Sequence, residues 1–356
     1  MNEMETMRKM PKSAFVRIQA KKPSFPITEE FDSYLGRYGR KAPFDLAYKD
    51  LLNFQEGFPL RTDEGNHTYW DWVIYPQQDW PELSRELTQI YAYLKTPDDP
   101  GFTDHLYISR VEYCNFGNTK PFRIRVVNRY NDNHDYYYVK VADASRLYGL
   151  ELEHLLAPNT VDFLVQGATL VEEHIAGVPG DIFLKTHNLS TEQTRVRMAK
   201  EFVKFAERSF AKLLGDMRSY NYVIVVTQDF DMNQIRVRAI DFDQQSYEGD
   251  MKVYLPHFYE ENESVVRLIW DLLKPSTIRQ YQKEERSFMA RRMRVGWSRV
   301  DDLLTTMSKD RISTPDRVTQ LGEALAYHHQ DDSFLDAVTM GDLTRRQLTK
   351  LVHMEE

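Results

Sequence analysis

Residues 215–221 read GDMRSYN, and residues 240–243 read IDFD. Asp216 and Asn221 lie five apart, directly after a long amphipathic stretch and directly before a strand-like one. Gly215 permits a tight turn at that junction. Strand patterns in NYVIVVTQ and QIRVRAID, either side of DFDMN, predict a hairpin that brings Asn221 and Asp241 to the same end. Asp243 points to the same side of an extended chain as Asp241. Carboxylate and amide oxygens grouped in this way suit a hard cation such as magnesium. The plainer alternative makes Asp216 and Asn221 turn residues that satisfy backbone groups, and Asp241 an acidic strand end facing water. Phe242 between the two acids argues for a partly buried turn.

Upstream of the hairpin, Ser190 and Gln193 form a capping-box pattern that opens STEQTRVRMAKEFVKFAERSFAKLL. Ala199, Phe202, Ala206, Phe210 and Leu213 make its apolar stripe. Before this helix, HLYISRVEY, PFRIRVVN and DYYYVKV read as three strands, and ASRLYGLELEHLL as a helix ended by Ala157-Pro158-Asn159. TVDFLVQ and ATLVEEH read as two further strands turning at Gly167. Nearer the N-terminus, HTYWDWVIYP (67–76) is strand-like. Pro81 opens a helix with Leu83, Leu87, Ile90 and Leu94 on one face. TPDDPG (96–101) punctuates the chain, and a domain boundary is expected there. Beyond the hairpin come SVVRLIWDLLK, stopped by Pro275, then STIRQYQKEERSFMARRMRV, TPDRVTQLGEALAYHH and a helix near LTRRQLTKLV.

The chain of 356 residues has length for a sizeable core, and its composition of 42% apolar and 28% charged residues is that of a soluble protein. A net charge of −8 disfavours general nucleic-acid binding. The single cysteine, Cys114, excludes an intramolecular disulfide and a cysteine zinc cluster, which points to a reducing compartment, the cytoplasm. No apolar run reaches the length of a membrane span, and MNEMETMRKMPKS carries no secretory pattern.

Strand alternation places Tyr136, Tyr138 and Lys140 on one face of DYYYVKV. A lysine there can reach phosphate as a point charge if a carboxylate holds it. Glu151 and Glu153 on the next helix are the candidate partners, with Glu151 favoured. The bland alternative is a solvated edge lysine.

Taken in order, Lys140, the helix glutamate, LVEEHIAGVPG, GDMRSYN and IDFD resemble the protein-kinase-like superfamily. They look closest to its aminoglycoside-phosphotransferase and small-molecule-kinase branch, over about residues 105–275. The resemblance implies that Lys140 binds the nucleotide phosphates with Glu151 or Glu153 beside it. It implies that Glu172, Glu173, His174 and Ile175 form the purine-reading hinge. Asp216 would be the catalytic-loop base, Arg218 a basic group near the γ-phosphate, and Asn221 and Asp241 the metal ligands, with Asp243 a further acid. The cofactors implied are ATP and magnesium. The chain departs from the family pattern at three places. Leu214 stands where the motif has histidine. The phosphate-covering loop EYCNFGNTKPF offers only Gly117. Asp243 replaces the glycine of the protein-kinase DFG.

The histidines His134, His154, His174, His187, His328 and His329 lack metal spacing and read as surface or core residues. No GxSxG or Walker motif occurs. RSFMARRMRVGWSR (286–299) is basic with interleaved Met, Phe and Trp, and reads as a solvated helix packing its Met and Trp inward, with anionic lipid, RNA or a phosphorylated partner the alternative. The fold class expected is α+β: a two-lobed kinase-like fold, with a five-stranded antiparallel N-lobe carrying one helix, a mainly helical C-lobe, and an extra N-terminal α/β segment. Its parts are a polar arm (1–25), a mixed extension (26–100), the N-lobe (101–176) and the C-lobe (177–356). The function expected is ATP-dependent phosphoryl transfer to an unidentified hydroxyl, a small molecule before a protein. A pseudokinase or scaffold, binding a partner through the first hundred residues or the last helices, is the alternative, and nucleotidyl transfer a third.

Overall fold

The structure is a computed structural model that describes residues 15–16, 18, 21–62, 64–96, 101, 103–116, 119–186, 189, 191–229 and 232–352, without the side chains of 229, 232 and 233. Outside this range lie most of the polar arm, most of TPDDPG, Gly117, His187, the Ser190 cap position and the tip of the 222–239 hairpin. Its helices are α1 (Glu29–Arg37), α2 (Trp80–Lys95), α3 (Ala144–Leu156), α4 (Gly180–Thr186), α5 (Glu192–Lys212), α6 (Glu263–Leu272), α7 (Pro275–Val295), α8 (Trp297–Lys309), α9 (Pro315–His329) and α10 (Met340–Val352). Its strands are β1 (Glu56–Arg61), β2 (His67–Ile74), β3 (Leu106–Cys114), β4 (Phe122–Asn128), β5 (His134–Val141), β6 (Phe163–Gln166), β7 (Thr169–Glu173), β8 (Val178–Pro179), β9 (Tyr222–Asp229) and β10 (Met232–Ala239).

The chain divides into two compact units. One comprises residues 26–143 and 161–174, the other residues 1–25, 144–160 and 175–356. In the first, seven strands form one antiparallel sheet in the order β1-β2-β3-β4-β5-β7-β6. The five expected strands are all present, but the sheet has seven, because β1 and β2 extend it past β3. Strands β1 and β2 of the expected extension therefore share a sheet with β3, β4 and β5, and residues 26–143 fall in one unit rather than parting near residue 100. The apolar stripe of α2 lies as its spacing predicts, with Leu83, Leu87, Ile90 and Leu94 buried in one core with Val111, Ile124, Val126, Tyr137, Val139 and Val171. Burying each such side chain contributes about 1.5–3 kcal/mol. The Tyr137 hydroxyl donates to the Leu87 carbonyl at 2.8 Å, so its burial leaves no unmet polar group. Gly167 takes the left-handed turn between β6 and β7 at φ 55°.

The second unit is mainly helical and carries a three-stranded sheet, β10-β9-β8. Its hub is α5, which packs against α6, α7, α10 and β10. Of the predicted α5 stripe, Ala199, Phe202, Phe210 and Leu213 are buried; Ala206 is half-buried, while Phe205 is buried beside it. The cap is Thr191, whose hydroxyl accepts from the Thr194 amide at 3.1 Å. Pro275 ends α6 as expected and also opens α7. The helix α3 belongs to this unit, packing on α7 and α8. Among the described residues, no helix is long and apolar enough to cross a membrane. The basic stretch 286–299 buries Met289 and Met293 but leaves Trp297 half exposed, against the inward Trp expected. Its arginines are largely engaged, Arg286 with Glu207, Arg292 with the His154 and Leu155 carbonyls, and Arg299 with Glu151.

Candidate functional site

The loop after α5 is pinned to the turn after β10 by strand-like backbone bonds. Gly215 N donates to the Gln244 carbonyl at 3.1 Å and Ser246 N to the Leu213 carbonyl at 2.9 Å. Gly215 does not supply the left-handed turn; Leu213 and Asp216 take that conformation, at φ 54° and 60°. What Gly215 supplies is close approach. A Cβ there would stand 2.8 Å from Val253 Cγ1 and 2.9 Å from the Gln244 carbonyl oxygen. Gly215→Ala is expected to cost about 1–3 kcal/mol through overpacking, read as a lower urea midpoint at unchanged slope.

That geometry fixes Asp216. Its amide donates to the Val253 carbonyl at 3.2 Å and to the Tyr259 hydroxyl at 3.1 Å, and Tyr259 in turn donates to the Val253 carbonyl at 2.8 Å. Left-handed backbone at a non-glycine is the kind of strain found at functional sites. The carboxylate faces Arg218, with Nε 2.6 Å from Oδ1. Burial pushes the Asp216 carboxyl up to about 7, Arg218 opposes that shift, and the nearby Asp241 adds to it. Arg218 also donates to the Tyr220 hydroxyl at 2.9 Å and lies 3.9 Å from Glu261.

The hairpin brings Asn221 and Asp241 together as predicted. Tyr222 pairs with Ala239, and Ile240 N donates to the Asn221 carbonyl at 3.0 Å. The Asn221 Nδ2 donates to the Asp216 carbonyl at 2.7 Å, and its amide oxygen is an acceptor that a cation could use. Asp241 is 38% exposed and accepts from the Asp243 amide at 3.1 Å. A half-exposed carboxylate beside an amide oxygen is a hard, sparse donor set. It fits magnesium, which keeps several waters and shares phosphate oxygens. Among the described residues, no group of three or more His, Cys, Asp or Glu could hold a metal ion by itself.

Asp243 is engaged differently. Arg146, from the first turn of α3, places Nε 2.9 Å from Asp243 Oδ1 and also donates to it through Nη2. The same Nη2 is 3.7 Å from Asp241 Oδ1. Nothing in the sequence signals Arg146, which sits 97 residues from its partner. Tyr259 and Glu261 were also beyond reach of the motifs.

In the sheet unit, Lys140 is buried on the interior strand β5, not solvated at an edge. Its partner is Glu172 of the neighbouring β7, at 2.5 Å, and not Glu151 or Glu153. Glu151 pairs instead with Arg299 at 2.5 Å, and Glu153 with Lys212. Glu172 and Glu173 lie within the ladder, where Glu173 N donates to the Asp162 carbonyl at 2.9 Å. Of the expected hinge, only His174 and Ile175 follow the strand; His174 Nδ1 is 3.1 Å from the Tyr138 hydroxyl. Burial, with Arg123 nearby, lowers the His174 pKa. Directly opposed cross-strand pairs put Glu112, Arg123, Tyr138 and Glu172 on one face of the sheet. There Arg123 donates to Glu112 and stacks 4.4 Å over Trp70. Gly117 lies outside the described residues.

No protein-family model matches the chain, and no curated protein matches it. Solved structures with some likeness include the Rio2 kinase–ADP/Mg2+–phosphoaspartate complex from Chaetomium thermophilum, at 9% identity and TM-score 0.33, covering 79% of this chain and 84% of that one. The Rad53 kinase domain and SCD2 in complex with AMPPNP has 14% identity and TM-score 0.27, covering 63% and 94%. A longer Rad53 structure, residues 1–466 with AMP-PNP, has 14% identity and TM-score 0.28, covering 64% and 65%.

Proposed function

We propose that this chain binds a magnesium–nucleotide and transfers its terminal phosphoryl group to an acceptor hydroxyl, a small molecule before a protein. The observation that carries this reading is the placement of Asp216. It is a half-buried carboxylate held beside Arg218, on a loop adjoining the hairpin end that carries Asn221 and Asp241. Asp216 accepts the acceptor hydroxyl's proton and orients that oxygen for attack, for which a pKa near neutrality is well matched. Arg218 holds the Asp216 carboxylate and supplies positive charge toward the transferring group. Asn221 and Asp241 hold the cation, which when bound neutralises phosphate charge. Within the sheet unit, Lys140, held by Glu172, is the candidate for binding phosphate that the resemblance names.

The test is a thermal-shift titration with ATP and GTP, with and without magnesium, on the wild type and Asp241→Ala. A ligand that binds only the folded state raises Tm by mass action. A magnesium-dependent rise in the wild type, absent from Asp241→Ala, is the expected result. No shift with either nucleotide would sink the proposal. A second reading, a pseudokinase scaffold, is favoured by Arg146, whose buried guanidinium already engages the acidic turn. It predicts that absence of a shift.

A further inference from the structure

The acidic turn after β10 has two carboxylates, and a buried side chain treats them unequally. The Arg146 side chain is 2% exposed and gives Asp243 Oδ1 two N–H donors, whereas its approach to Asp241 is 3.7 Å. Its helix is stitched to the same turn. Ser145 Oγ donates to the Gln245 carbonyl at 2.7 Å, and a Cβ at Gly149 would meet Phe242 Cβ and Gln245 Cβ at 3.1 Å. Arg146 is thus fixed at both its backbone and its charged end. Two charge-assisted N–H donors on Oδ1 occupy the lone pairs through which that oxygen would bind a cation. A divalent ion on Asp243 would also face a guanidinium that keeps its charge at any working pH.

We propose that Arg146 is a positioning residue that withdraws Asp243 from metal binding. The site then holds one divalent cation, on Asn221 and Asp241, with the guanidinium in the place of a second. This inference rests on the nucleotide-binding reading above. Asp243, the further acid of the motif, then serves as the anchor of Arg146, and Asp241 is the one carboxylate of the turn that ligates the cation.

The experiment counts manganese ions bound per chain by electron paramagnetic resonance, with AMP-PNP as the nucleotide. The wild type is expected to bind one Mn2+, and Asp241→Asn to weaken it tenfold or more. Arg146→Gln, which takes the guanidinium donors from Asp243 Oδ1, is expected to bind two, and Arg146→Lys to return to one. The double variant Arg146→Gln/Asp243→Asn replaces both charges with neutral groups of similar shape, and is expected to bind one with affinity within about threefold of the wild type. It keeps the test valid if a single variant does not fold. Two Mn2+ in the wild type, with one lost in the double variant, would overturn the proposal while leaving the nucleotide site standing. One Mn2+ in Arg146→Gln would overturn it equally. No Mn2+–nucleotide binding in the wild type would overturn both.

Discussion

Asp216→Asn is expected to slow phosphoryl transfer by about 10²–10⁴-fold, the usual contribution of a positioned general base. The affinity for MgATP should stay within a few-fold, because Asn221 and Asp241 are untouched. A pH profile separates this from simple damage. With the Asp216 pKa near 7, the wild-type rate should climb as pH rises through that value, where the carboxylate becomes the base. The asparagine variant should lose that limb. Stability should move the opposite way. A carboxyl whose folded pKa lies above its unfolded value binds its proton more tightly when folded, so its stabilisation is complete below about 4 and is lost as pH rises through about 7. Urea unfolding between pH 4 and 8 should show that slope in the wild type, and a flatter one in Asp216→Asn. An unchanged rate at pH 8 would remove Asp216 from the reaction.

Glu153→Ala is expected to destabilise the chain by about 3–5 kcal/mol, the cost of leaving a buried charge without its counter-ion. The counter-ion is for Lys212, at the end of α5, which is 1% exposed and bonded to Glu153 of α3. Burial lowers the Lys212 pKa and Glu153 opposes that shift, so removing Glu153 depresses the value further. The unfolded chain then binds more protons than the folded one, and stability rises with pH. The deficit should therefore narrow as pH approaches 10.5, the ordinary lysine value. Urea denaturation at pH 7 and pH 9.5 reads both effects. Glu153→Met with Lys212→Met should recover most of the loss, since a well-packed apolar pair often replaces a buried ion pair at little cost.

Local pattern carried the sequence reading far in some elements and not in others. Strands β3 to β7, the turn at Gly167 and the α2 stripe follow from period and punctuation alone. The hairpin end joining Asn221 to Asp241 follows from antiparallel geometry. Strand β1 carries Gly57 and Pro59 and is mostly exposed, so it has no alternation to read; an edge strand tolerates such a proline. Helix α1 did leave a signal, in the Thr28 cap, the acidic first turn, and Phe31, Tyr34 and Leu35 at helical spacing. The α8 helix, WSRVDDLLTTMSK, left a different signal, in Val300, Leu303, Leu304 and Met307 at helical spacing. Ion-pair partners were not. Lys140 takes a glutamate from the adjoining strand, 32 residues on, and the helix glutamates take Arg299 and Lys212, 148 and 59 residues away. Such choices are made by tertiary packing, which no local period encodes.

The route of the chain has a bearing on how it can be cut. It leaves the sheet unit after residue 143, supplies α3 to the helical unit, returns for β6 and β7, and leaves again after residue 174. Neither unit is a continuous piece of polypeptide. A fragment ending at residue 174 would carry α3 without α7 and α8, and with Glu151 and Glu153 parted from Arg299 and Lys212. One beginning at residue 175 would lack the helix that closes those charges. Neither fragment carries a whole unit, and recombination within residues 144–174 would disturb both units at once.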